Sequence, residues 1–259
     1  MRLTTVGTGT IAMPPDRACA GHLVEAGAVR LLMDCGSGVA HRMAERGLDW
    51  WGITHVALTH FHADHVADLP TLLFAWRNAR LPERRAAPLE VLGPPGTLSL
   101  VARLAAAFGD WVAAPGFPLS VREVPPGTAA DLGDGVRLEA RKVPHTDESV
   151  AYSVGRGAGR LVYTGDTGWD EGLGAWAAGA DVLLAECSLP AALAIPEHLT
   201  PEACGRLAAL ARPRVLALTH LYPPVEAVDI PAAVAAQGFA GAVAVAHDGW
   251  SINIEEGEG

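Results

Sequence analysis

Apolar residues in this chain gather into short continuous runs separated by polar, glycine or proline positions. Runs at 3–6, 29–33, 56–59, 89–92, 161–163, 182–184, 215–218 and 242–246 are four or five residues at most. Continuous apolar runs of that length predict strands covered on both faces. Between them lie alanine-rich segments at 39–46, 69–79, 98–108, 201–211 and 231–237, which predict helices because alanine loses least on entering a helix. Pro201 and Pro231 suit a first helical turn, and Thr200 is placed to cap the helix that Pro201 opens. The stretch 110–140 is richer in proline and glycine, with an alternating run at 136–140, and predicts loop and antiparallel strand. Interleaved strands and helices predict an α/β or α+β architecture, with helices covering sheets. No internal repeat is apparent, and no low-complexity linker divides the chain.

Composition narrows this picture. Half of the 259 residues are hydrophobic, enough for a sizeable core, and residues 1–259 read as one domain. The formal net charge is −10, which speaks against a protein that grips nucleic acid mainly through phosphate neutralisation. A basic run at Arg77, Arg80, Arg84 and Arg85 reads as a solvated helix end and loop, with an anion-attracting patch as the sharper alternative. The four cysteines are scattered, with no paired spacing. The chain enters a strand directly, without a signal-like apolar segment, and no apolar run approaches the ~20 residues that span a bilayer. A soluble, reduced, cytoplasmic protein without a membrane partner is the expectation.

The chemistry concentrates in Thr59-His60-Phe61-His62-Ala63-Asp64-His65, which directly follows an apolar strand. Imidazole and carboxylate are the ligands of hydrolytic zinc or manganese sites, and a turn at a strand end can aim several of them at one point. A lone buried histidine is usually a satisfied core residue. Three histidines and an aspartate this close would cost several kcal/mol to bury without a cation or other partners. Further ligand-type residues stand where later strands run out: His145, Asp166 and His220. By contrast, Gly7-Thr8-Gly9 lacks the following helix that a dinucleotide site needs. His22, His41 and His55 have no ligand company, and His247-Asp248-Gly249 reads as a turn before the last strand.

With these residues in order, the sequence resembles the metallo-β-lactamase superfamily along nearly its whole length. His60, His62, Asp64 and His65 match its HxHxDH motif, and Asp34, His145, Asp166 and His220 match later or earlier motif positions. The resemblance implies a four-layer αββα sandwich with two divalent metal ions at one edge of the sheets. Zinc is the first expectation, with manganese or iron also compatible with these ligands. It implies one ion on His60, His62 and His145, a second on Asp64, His65 and His220, and Asp166 bridging them. Asp34 would steady a ligand imidazole or cap a turn.

Three features resemble the ribonuclease Z-like branch: Val6-Gly7-Thr8-Gly9-Thr10, Gly93-Pro94-Pro95-Gly96, and His198-Leu199-Thr200, which lies 22 residues before His220. That branch implies catalytic roles for Asp64 and for His198, the latter as proton donor to the leaving oxygen. It also implies a metal-bridging hydroxide as nucleophile. Ribonuclease Z carries a long tRNA-holding arm between the positions of His145 and Asp166, but here they are 21 residues apart. The expected substrate is therefore a small or nucleotide-like phosphodiester. tRNA 3′ processing, lactone or thioester hydrolysis on the same ligands, and a non-hydrolytic pathway protein of this fold are the alternatives. Members of the family often dimerise, so the resemblance also admits a homodimer.

Overall fold

A computed structural model describes residues 1–255. The first half of the chain builds one sheet from β1 (Arg2–Gly7), β2 (Gly21–Ala26), β3 (Val29–Met33), β4 (His55–Ala57), β5 (Leu89–Gly93) and β6 (Leu119–Glu123). The second half builds another from β7 (Ala129–Asp131), β8 (Arg137–Lys142), β9 (Val150–Arg156), β10 (Gly159–Tyr163), β11 (Val182–Glu186), β12 (Val215–Thr219) and β13 (Ala242–Val245). β14 (Ser251–Asn253) returns to pair with β1, so each sheet has seven strands. Both sheets begin antiparallel and continue parallel: β3 to β6 run parallel, as do β10 to β13. This repetition of topology has no counterpart that is apparent in the amino-acid sequence.

Helices cover the outer faces. α1 (Val39–Glu45), α3 (Leu69–Asn78) and α4 (Thr97–Phe108) bury Val39, Met43, Leu72, Trp76 and Val101 against the outer face of the first sheet. α5 (Glu171–Trp176), α6 (Pro201–Ala211) and α7 (Ile230–Ala235) bury Leu173, Leu207 and Val234 against the second. A third core fills the space between the sheets, from Leu3, Leu31 and Met33 to Tyr152, Leu161 and Leu184. The layers are thus α, β, β, α, as the resemblance implies. Runs covered on both faces are continuous because neither face meets water.

The predicted strands lie where the apolar runs are, with small shifts in their ends. The alternating run becomes β8, and α6 spans the predicted 201–211 with Thr200 accepting from the Ala203 amide at 3.3 Å. α7 begins at Ile230 because Asp229 caps it, accepting from the Ala232 amide at 3.1 Å. β2, the one-turn α2 (Ala63–Val66) and α5 are additional elements.

The basic run reads as solvated at Arg80 and Arg84, which are exposed, but needs correction at Arg85, which is buried. Arg85 is buried, donates to the carbonyls of Trp51, Ile53, Ala87 and Pro88, and faces the rings of Trp76 and Phe117. Arg80 lies 4.6 Å over Trp51, and Arg77 holds the Ala114 carbonyl at 3.0 Å. Arg80 and Arg85 tie the 80–88 loop to the segment that leads into β4. Among the described residues, no helix is long and apolar enough to cross a membrane.

Candidate metal centre

The ends of the parallel strands from both sheets converge on one edge. Asp34 follows β3, His60 lies just beyond β4, Asp166 follows β10 and His220 follows β12. His145 comes from the link between β8 and β9, and His62, Asp64 and His65 come from the start of α2. Ligands of layered α/β folds collect at such strand ends because the chain must turn there, which frees side chains to point across the edge. The turns are tight. Asp34 and His220 have φ of 57° and 55°, a left-handed backbone that few non-glycine residues adopt. Gly36 is required by packing, since a Cβ there would lie 1.9 Å from the Asp64 carbonyl oxygen.

The structure brings all seven expected ligands together. One atom each of His60, His62, His145 and Asp166 lie within 4.8 Å of one another, and the same holds for Asp64, His65 and His220. Asp166 joins the two groups. Its Oδ2 is 3.8 Å from Nε2 of both His60 and His145 and 3.4 Å from Nε2 of His220, while its Oδ1 is 3.3 Å from Nε2 of His65. Beneath them, Asp34 contacts Nδ1 of His65 at 2.8 Å and accepts from the Thr59 amide at 2.8 Å and the Tyr163 hydroxyl at 2.9 Å. This leaves Nε2 of His65 directed into the cluster.

The residues fit divalent cations on the structure's own terms. His60 Nε2, His65 Nε2 and Asp166 Oδ1 are buried polar atoms without a hydrogen-bond partner. Such atoms are rare, because each costs ~1–3 kcal/mol unless something else satisfies it. Burial chiefly, then the neighbouring imidazoles of His65, His145 and His62, push the His60 pKa well below its ordinary value against the pull of Asp166, so its ring nitrogen is a free lone pair. Burial also opposes charge on His65, but the carboxylates of Asp166 and Asp34 outweigh it and hold that pKa well above the usual value. Three buried carboxylates at one point call for positive charge. Among the described residues only a protonated imidazole answers it, whereas a cation would answer it and use the unpaired nitrogens too.

His198 stands beside this cluster, its ring 4.9 Å from that of His145 and 5.6 Å from that of His220. Its Nδ1 is 3.0 Å from both carboxylate oxygens of Glu186, a fully buried residue at the end of β11. Burial lowers the His198 pKa, but the hydrogen bond and charge of Glu186 prevail and raise it to about 9. Glu186 also accepts from the Ser188 hydroxyl and from the amides of Thr167 (2.6 Å) and Leu199 (3.3 Å). Ser188 Oγ in turn lies 2.9 Å from Nδ1 of His220. Sequence reasoning missed Glu186 and Ser188. Their only signal was a charged residue ending a five-residue apolar strand. His247 turns away, its Nδ1 on the Asp248 carbonyl at 3.1 Å. Asp248 instead binds Thr8, Ala18 and Arg42, fastening the glycine-rich turn after β1 to the C-terminal part of the fold.

Comparison with known proteins agrees with this geometry. A family model described as a beta-lactamase superfamily domain matches residues 29–221. A protein named ribonuclease Z from Mycobacterium bovis (strain BCG / Pasteur 1173P2) is 32% identical, with 96% of each chain covered. Another of that name from Mycobacterium sp. (strain KMS) is 33% identical over 87% of this chain and 85% of its own. Among solved structures, the metallo-beta-lactamase fold protein YhfI from Bacillus subtilis superposes with a TM-score of 0.83 at 22% identity, covering 97% of this chain and 98% of its own. The short form of human tRNase Z superposes at 0.79 and 23%, covering 98% of this chain and 100% of its own. At those identities the two structures speak for the fold. The chain belongs to the β-lactamase superfamily, in its ribonuclease Z-like branch, and is a metal-dependent hydrolase of the phosphodiester type.

Proposed function

We propose that this protein hydrolyses small phosphodiesters with two divalent cations, zinc being the first expectation. The observation that carries the reading is His198. A buried glutamate holds it against a complete ligand cluster, where an imidazole can protonate a leaving alkoxide. His60, His62 and His145 would hold one ion, Asp64, His65 and His220 the other, with Asp166 between them. When bound, the ions supply Lewis acidity for the phosphoryl oxygens and an acidified water as nucleophile.

The chain's own residues do the rest. Asp34 fixes the ring of His65, so its Nε2 is presented without a conformational search. Asp64, beside His220 at 3.4 Å, takes a catalytic role by orienting the attacking water through its second oxygen. Glu186 accepts at Nδ1 of His198, so the transferable proton sits on Nε2, the nitrogen that Glu186 leaves free. Ser188 links that pair to His220, so the acid and one ligand are oriented from a single buried carboxylate.

RNA is the second reading, favoured by the name of the curated relatives. Two observations weigh against tRNA. β9 passes to β10 through a two-residue turn between the paired Arg156 and Gly159, so no arm is inserted there, and the net charge is −10. The test is hydrolysis of bis(p-nitrophenyl) phosphate with and without chelator, beside cleavage of a precursor tRNA. Turnover that chelation abolishes and zinc restores is expected. Absence of turnover with two metals bound per chain would defeat the reading, and preferential cleavage of the tRNA would favour the second.

A further inference from the structure

Two exposed stretches flank the ligand cluster and contain neither charge nor a hydrogen-bonding side chain. The first is Ile11-Ala12-Met13-Pro14-Pro15, and the second is Leu189-Pro190-Ala191-Ala192-Leu193-Ala194-Ile195-Pro196. Both are tied to the centre itself. The Ile11 amide donates to Asp64 Oδ2 at 3.1 Å. The second stretch runs directly into Glu197, whose carbonyl meets His145 Nδ1 at 3.0 Å, and then into His198.

Large apolar side chains stay in water on both. Met13 is 64% exposed, Leu193 52%, Ile11 47% and Ile195 45%. Leaving the remaining half of each exposed forgoes on the order of 1 kcal/mol of burial, so several of them beside a catalytic edge mark a binding surface. Nor are the stretches loose coil. Met13 donates to Thr10 (3.2 Å), Arg17 to Pro14 (3.2 Å) and Leu193 to Pro190 (2.8 Å) through backbone amides. A Cβ on Gly168 would lie 2.0 Å from the Pro196 carbonyl oxygen, so the second stretch packs closely on the loop beyond Asp166.

Positive charge is withheld from this surface. Arg17, which follows the first stretch, is engaged by Thr8 (2.6 Å), the Ala246 carbonyl (2.8 Å) and Glu226 (2.8 Å). Arg206 is stacked 4.9 Å over Trp169. A second phosphate in the substrate would therefore meet apolar surface without a counter-charge, which is costly.

We propose that these two stretches form a subsite for an uncharged apolar or aromatic ester group of a small phosphodiester. This rests on the phosphodiesterase reading and names its substrate class. A phosphorus held between the ligand cluster and His198 directs its leaving ester along the chain that carries His198, onto Ile195 and Leu193. The second ester group faces Ile11 and Met13.

Calorimetric binding to the zinc-loaded protein tests it, with diphenyl phosphate and dimethyl phosphate as probes. Diphenyl phosphate should bind at least about tenfold more tightly, since one buried apolar group contributes about that much. The double substitution Leu193→Ser with Ile195→Ser, both exposed, should weaken diphenyl phosphate at least about fivefold and leave dimethyl phosphate unchanged. Met13→Ser serves as an independent second variant with the same expectation. Equal binding of the two probes, or a preference that survives all these substitutions, overturns the proposal. So does a dimer, seen by light scattering, that the double substitution dissociates without altering the preference, since a second copy would then be the occupant. Tight diphenyl phosphate binding without hydrolysis of bis(p-nitrophenyl) phosphate would defeat the phosphodiesterase reading while leaving the subsite in place.

Discussion

Glu186 accepts four hydrogen bonds while fully buried, and two come from side chains at the cluster, His198 and the buried Ser188 that touches His220. Removing His198 as His198→Ala should lower turnover about 10²- to 10⁴-fold, the usual contribution of a positioned acid. Metal content by atomic emission should be unchanged, and metal loss would make His198 a ligand instead. Glu186→Gln keeps the shape and removes the charge that raises the His198 pKa toward 9. The protonated form is then lost at lower pH, so the alkaline limb of the kcat profile should move to lower pH, and an unmoved limb would deny the pairing a proton role. A different residue governs acid stability. His22 is fully buried with neither ring nitrogen hydrogen-bonded, and burial chiefly, then His65 and His220, lower its pKa to about 3. Its folded pKa lies below the ordinary 6.5 of the unfolded chain. The unfolded state therefore binds the extra proton, and stability is complete above 6.5 and lost as pH falls toward 3. Between pH 7 and 5 this site should cost the metal-free protein roughly 2 kcal/mol in urea melts. His22→Phe should remove that part of the slope, and an unchanged slope would show that His22 does not carry it.

Elements differ in how they secure the centre. α6 begins three residues after His198, with Thr200 as N-cap and Pro201 in the first turn. Thr200→Ala should cost about 1 kcal/mol, read as a shift of the urea midpoint. The same change should raise KM or lower kcat only slightly, because Glu186 holds His198 independently. The segments that form the edge of the sheets are short, and the sequence signals them unevenly. Residues 56–58 were legible as a strand because three apolar residues lead straight into the histidine cluster. β2 was not, because Gly21, His22 and Glu25 interrupt its apolar pattern, yet its neighbours on both sides pair with it. α5 was missed because six residues with two glycines carry little helical signal, and its stability comes from Leu173 packed in the outer core.

The whole molecule is a clamp of two sheets, each delivering candidate ligands from the same edge, so cation binding should stabilise the fold. Zinc at about 100 times its dissociation constant would add about 2.7 kcal/mol per site. Chelation should accordingly lower the melting temperature, and readdition should restore it. A melting temperature indifferent to chelator would mean that the cluster does not hold metal in solution. The charge of −10 bears on substrate range. Any binding of a polyanionic RNA should be weak at physiological salt, with a shallow dependence of affinity on salt concentration, because few phosphates are neutralised. A steep salt slope in a filter-binding assay would point to a basic surface and to the RNA reading.

The amino-acid sequence by itself determined the layered fold class and pointed to the side chains that cluster at the sheet edge, because both are written locally. A run of apolar residues specifies a buried strand, and HxHxDH places four ligand-type groups within one turn of chain. Only the tertiary structure decided what joins those groups. Asp34 lies 31 residues from His65 and Glu186 lies 12 from His198, yet each pair is in direct contact. The same is true of Arg85, whose charge reads as solvated until its ring and carbonyl partners are in place. It is true also of the apolar stretches beside the cleft, whose side chains the fold leaves in water. Local composition encodes which element forms, whereas burial, charge pairing and exposure are properties of neighbours that the chain acquires only by folding.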